Sequence, residues 1–101
     1  MFFSPRIRTA ELAQLCRRLA TSLEAGIEIR TVLSREAKRA GRWACTSRLQ
    51  AIAEAVSNSQ SVSDAIRDAG DFFPPLFCEL VALGESTGHL AESFRQLAEH
   101  Y

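Results

Sequence analysis

No apolar run in this chain approaches the roughly 20 residues that a bilayer-spanning helix needs. Met1-Phe2-Phe3-Ser4-Pro5 is also too short an apolar stretch for a signal-peptide core. The chain is therefore expected to be soluble and to show no export signal of its own. Cysteine is sparse: Cys16, Cys45 and Cys78 form no CxxC pair, their number is odd, and each lies in an apolar helical pattern. Free, partly buried thiols in a reducing compartment are the expectation. The two histidines, His89 and His100, lie three turns apart on one expected helix and cannot share a metal, so no zinc site is expected. An excess of charge is absent as well, with 12 Lys and Arg against 12 Asp and Glu.

Catalytic signatures are missing too. No lysine follows the glycines at 84 and 88 in phosphate-loop order, so a nucleotide site is not expected. There is no Cys–His or Ser–His–Asp grouping with recognisable local context. Such groupings are spatial, so a missing motif says little by itself. A small helical chain with no cofactor motif is nonetheless a poor enzyme candidate, and neither enzymatic activity nor a cofactor is expected.

What the chain does have is helical periodicity. Hydrophobic residues make up 47% and charged residues 24%, the range of a soluble globular protein rather than a disordered one. At 101 residues it forms one domain that buries roughly 65% of its unfolded surface. Thr9 is the expected N-cap of helix one, in which Leu12, Leu15, Cys16, Leu19 and Leu23 form one stripe before Gly26. Helix two is expected from Glu28 to Ala40, with Ile29, Val32, Leu33 and Ala37 inward and Gly41 as its stop. Helix three runs from Arg42 to Ser57, with Leu49, Ile52, Ala53 and Val56 inward and Trp43 covering the end of the core.

Ser61 caps a short helix four, Val62 to Ala69, ended by Gly70, and Asp64 favours that helix's positive N-terminus. Phe72 and Phe73 plug the gap before Pro74 and Pro75 open helix five, which carries Leu76, Phe77, Leu80, Val81 and Leu83. A glycine-bracketed polar loop, Gly84-Glu85-Ser86-Thr87-Gly88, leads at once into helix six, with Leu90, Phe94, Leu97, Ala98 and Tyr101. No segment shows strand alternation. The fold expected is all-α: a six-helix antiparallel bundle built from helix hairpins, residues 9–101, preceded by an N-terminal arm, residues 1–8. Leu19, Leu23, Leu49, Ile52, Leu80, Leu90, Phe94 and Leu97 are the expected core.

Charge, though balanced in total, is divided unevenly. Residues 1–50 hold ten Lys and Arg against four Asp and Glu, and residues 51–101 hold two against eight. The halves could attract each other, be separately solvated, or meet oppositely charged partners. Arg35, Lys38, Arg39 and Arg42 share helical spacing on helix two or its exit. A solvated face, an acidic protein partner and anionic lipid headgroups are the three readings of that cluster. Nucleic acid is the weaker candidate, since the total charge is zero and only Trp43 is near for stacking.

Glu85 is the one charge within the Gly84–Gly88 segment. It would offset the dipole at the start of helix six, or else ligate a hard cation or touch a partner. On the first reading Glu85→Gln leaves the melting temperature nearly unchanged. A hairpin this tight needs a positive φ at Gly88 or Gly84.

Several of these segments together resemble a known family. Leu15-Cys16-Arg17-Arg18-Leu19-Ala20 with Leu23-Glu24-Ala25-Gly26-Ile27 looks like the opening helix and glycine stop of the type II secretion system F domain. Ser61-Val62-Ser63-Asp64-Ala65-Ile66, Phe73-Pro74-Pro75-Leu76-Phe77 and Gly84-Glu85-Ser86-Thr87-Gly88-His89-Leu90 follow in that family's order, and the last is its most specific piece. Leu15, Glu28 and Ser59 depart from the pattern, standing where an aromatic residue, proline and glycine are common. Without that glycine, Asn58 is expected to hold the positive φ of the turn.

The resemblance implies a non-catalytic cytoplasmic domain of an inner-membrane platform protein of type II secretion or type IV pilus assembly. Such a protein links an assembly ATPase to pilin or pseudopilin subunits. Under this reading a roughly 20-residue apolar segment follows soon after Tyr101. The alternative is a free-standing helical adaptor or nucleic-acid-binding regulator. Phe2, Phe3 and Ile7, with no evident place in a closed bundle, and the opposed charges of the halves point to a homodimer.

Overall fold

The computed structural model describes residues 6–101. Among the described residues there are six α-helices and no strand, so the all-α expectation holds. They are α1 (Thr9–Glu24), α2 (Ile29–Lys38), α3 (Trp43–Ser57), α4 (Val62–Arg67), α5 (Pro75–Thr87) and α6 (Leu90–His100). A short 3-10 turn, Gly70–Phe72, follows α4.

Local chemistry explains the starts. Arg8, not Thr9, is the N-cap of α1, and its N–H donates to the Glu11 carboxylate at 3.2 Å. Glu28 caps α2 by accepting from the Arg30 N–H, and Ser61 caps α4 by accepting from the Asp64 N–H. Pro75 begins α5, where its missing N–H costs nothing. At the end of α3 the positive φ falls on Ser59 (74°), not on Asn58 (−91°). The Gln60 N–H reaches back to the Ala55 carbonyl, so Ser59 occupies the left-handed position after the helix where glycine is the usual residue.

The most extensive packing joins the first and last helices, α1 and α6. From α6 the contacts pass to α5, then α4, α3 and α2, and a thin α2–α1 contact closes the ring. Hairpins therefore describe α2–α3 and α5–α6, but the main partner of α1 is α6 rather than its sequence neighbour. The reason is apolar area. α1 buries Leu12, Leu15, Cys16, Leu19 and Ala20, a stripe that the Phe94, Leu97 and Ala98 face of α6 can cover.

Phe72, Phe73, Phe77 and Phe94 form a connected aromatic centre. Phe73 stacks on Phe77 at 4.7 Å, and Phe72 meets Phe73 edge-on at 5.0 Å. Of the expected core, Leu19, Leu49, Ile52, Phe94 and Leu97 are buried, whereas Leu23, Leu80 and Leu90 are half-buried at its margin. Ile7 does have a place in the bundle: it packs against the core, and its N–H donates to the Phe72 carbonyl at 2.9 Å. Phe2 and Phe3 lie outside the described residues.

Candidate functional site

The Gly84–Gly88 segment is not a loop. Gly84, Glu85, Ser86 and Thr87 form the last turn of α5, and only Gly88 stands outside it, with φ 75°. Gly84 is buried where α6 crosses α5. A Cβ at Gly84 would overlap the Ser93 Oγ and sit 2.9 Å from the Ser93 Cβ. This glycine is therefore needed for close helix approach, and Gly88 for the left-handed turn. Thr87 turns its hydroxyl back onto the Leu83 carbonyl, 2.9 Å away.

Glu85 does not serve α6, as the sequence reading expected. Its carboxylate caps the start of α4 instead. It accepts from the Val62 N–H at 2.6 Å, the Ser63 N–H at 3.0 Å and the Ser63 Oγ at 2.8 Å. Burial pushes the Glu85 carboxyl up, but the Ser63 and Val62 hydrogen bonds outweigh it and hold the carboxyl below its ordinary pKa. Both oxygens are engaged, so Glu85 closes α5 onto α4. Among the described residues, no three His, Cys, Asp or Glu side chains are placed to hold a metal.

The basic cluster divides in two. Arg42 is not on α2 but is the N-cap residue of α3, and its guanidinium grips Glu11 of α1 at 2.7 Å and 3.2 Å. Arg42 also draws the Glu11 carboxyl below the ordinary range. Arg35, Lys38 and Arg39 are exposed and have no ion-pair partner among the described residues. Arg35 and Lys38 lie opposite the buried stripe of Val32, Leu33 and Ala37, and Arg39 follows at the end of the helix.

Ion pairing uses up the acids of the basic first half. All four acids of the first half are engaged: Glu11 with Arg42, Glu24 with Arg95, Glu28 with Arg30 and Glu36 with Arg18. No ion pair among the described residues joins a cation of the first half to an acid of the second. The one ion pair between the halves among the described residues, Glu24 with Arg95, joins an acid of the basic half to a cation of the acidic half. The asymmetry leaves cations over at the surface of the first half.

Two residues escaped the sequence reading. Glu36 is 8% exposed and takes three hydrogen bonds from the Arg18 guanidinium, fastening α2 to α1 where the two helices meet least. The available signal was an acid inside the Val32, Leu33 and Ala37 stripe. Trp43 was expected to cover the core, yet it is 77% exposed. Its position off the Cys45, Leu49, Ile52 and Val56 stripe of α3 was the signal.

A sequence profile described as "Type II secretion system (T2SS), protein F" matches residues 15–101. The chain belongs to this family. It is 35% identical over 99 residues to the type 4 fimbrial assembly protein PilC of Pseudomonas putida, covering 98% of this chain. It is 31% identical over 98 residues to the type II secretion system protein F of Vibrio cholerae, and equally so to that of Pseudomonas aeruginosa, covering 97% of this chain in each case. In all three the match covers 24% of the relative's own length. The family thus includes proteins named for secretion and for pilus assembly. No helix among the described residues is long and apolar enough to cross a membrane.

Proposed function

We propose that this chain is a cytoplasmic protein-interaction domain of an inner-membrane platform protein for type II secretion or type IV pilus assembly. In this reading residues 9–101 form the domain and residues 1–8 an arm. The domain couples the machine's assembly ATPase to assembly of pilin or pseudopilin subunits, does no covalent chemistry itself and works as a homodimer. The observation that carries the reading is the family match across residues 15–101. The geometry supports it: in the Gly84–Gly88 motif the Glu85 carboxylate holds α5 to α4, and the Ser86 and Thr87 hydroxyls turn back onto carbonyls of their own helix, which suits a scaffold better than a reaction site.

The test is direct binding of purified residues 1–101 to the purified assembly ATPase of the same machine, read by sedimentation. A saturable complex is expected, together with self-association of the chain. Absence of any complex, with secretion or piliation intact after deletion of the gene, would overturn the reading.

A further inference from the structure

Between α2 and α3 the chain runs Lys38-Arg39-Ala40-Gly41-Arg42-Trp43, and only Arg42 is part-buried. Trp43, the one tryptophan of the chain, is 77% exposed, the most exposed large apolar side chain among the described residues. It stands in the first turn of α3, four residues after the end of an α2 stretch whose Arg35, Lys38 and Arg39 have no ion-pair partner among the described residues. The nearby acids are spoken for: Arg42 binds Glu11, and Arg18 binds Glu36. Glu54, the next acid along α3, is about 16 Å up the helix axis from Trp43. Arg6 and Arg8 add exposed positive charge at the same end, since the Arg6 carbonyl accepts from Arg42 and the Arg8 N–H donates to Glu11.

We propose that this turn docks on an anionic bilayer surface, with Trp43 seated at headgroup depth and Arg35, Lys38 and Arg39 facing lipid phosphates. The inference rests on the platform reading for the presence of a membrane nearby, and it adds a specific contact to that reading. The chemistry is complementary. Tryptophan has a large apolar face with one N–H donor, which suits the interface between water and hydrocarbon. Basic residues close to an anionic surface are attracted to it as long as no acid of their own neutralises them. An acidic protein would satisfy the cations and could bury the indole as well; the bilayer that the platform reading puts close by is what favours the lipid surface. Of the basic face expected from the sequence, Arg42 is turned away to Glu11, and Arg35, Lys38 and Arg39 remain exposed.

The sole tryptophan reports its own docking. The intact chain is mixed with phosphatidylcholine vesicles, with or without about 30% phosphatidylglycerol, and Trp43 emission and acrylamide quenching are read. With anionic vesicles the emission moves to the blue and quenching falls; with neutral vesicles neither changes. Salt at about 0.5 M reverses the effect, because the exposed charges are screened. The variant Arg35→Gln, Lys38→Gln, Arg39→Gln keeps its helical circular dichroism and partitions roughly a hundredfold less, on the scale of about 1 kcal/mol per basic residue. Trp43→Ser weakens vesicle co-sedimentation while keeping its fold.

Unshifted emission with anionic vesicles overturns the proposal, as does undiminished binding by the triple variant. Protection of Trp43 by polyglutamate but not by vesicles also overturns it, in favour of an acidic protein. Vesicle binding and ATPase binding are separate readouts. Loss of the first with the second intact removes the lipid contact alone.

Discussion

Apart from the Arg42–Glu11 pair, the two ends of α3 treat charge in opposite ways. Beyond its C-terminal end, the Glu85 carboxylate reaches the start of α4 and accepts three hydrogen bonds from Val62 and Ser63. At its N-terminal end, about 21 Å away along the axis, Arg35, Lys38 and Arg39 meet no anion among the described residues, and Trp43 stands in solvent. In sequence both regions look alike: charges beside glycine at a helix boundary. What separates them is whether the hydrogen-bonding capacity of the charge is consumed within the chain. A consumed charge holds the fold, and an unconsumed one is available to a partner.

The comparison can be broken at several points. The largest effect is expected from Gly84→Val, because even a single Cβ there meets Ser93 and lies 3.1 Å from the His89 carbonyl. The loss should be about 3 kcal/mol in urea unfolding. Gly84→Ala should be partly rescued by Ser93→Gly, and a double-mutant cycle without coupling would refute the steric account.

Acid comes next. The folded carboxyls of Glu85 and Glu11 lie below their ordinary value. Their stabilisation is therefore fully present above the unfolded carboxylate pKa of about 4.3, and is lost as pH falls through the folded values. Glu85→Gln should make that acid-induced decline shallower, measured as unfolding free energy against pH.

Ser59→Gly should act in the other direction. It relieves a non-glycine residue with φ 74° and should stabilise by about 1 kcal/mol. The smallest effects on stability belong to the open end. Arg35→Gln, Lys38→Gln and Arg39→Gln should each stay within about 0.5 kcal/mol in thermal melts.

Helix existence was legible in the sequence because each apolar stripe and each stop is local. Gly26, Gly70 and Gly88 all hold the positive φ of a helix end or turn, and Ser61 caps α4 as its spacing implied. Pairings over long separations were not legible. The α1–α6 contact joins the two ends of the chain, and Glu85 finds its donors more than twenty residues upstream. Gly84 was misread because glycine ordinarily stops a helix, whereas here it admits Ser93 from the neighbouring one. Leu83, one of the apolar residues carried by α5, is 57% exposed, since that helix is apolar on more faces than the bundle can cover. The basic face was legible as a cluster. Its real membership was not, because Arg42 lies 31 residues from the Glu11 that claims it.

The central claim is that Glu85 belongs to the fold and the basic turn does not. Thermal unfolding of Glu85→Gln beside the Arg35→Gln, Lys38→Gln, Arg39→Gln triple variant tests it most directly. Losing the charged acceptor for two backbone N–H groups and a hydroxyl should cost about 2–3 kcal/mol. In a domain of this size that lowers Tm by roughly 10–20 °C. The account predicts that drop for Glu85→Gln and a melt close to the parent's for the triple variant. A Glu85→Gln melt that overlays the parent's, or an equal loss in both variants, would contradict it.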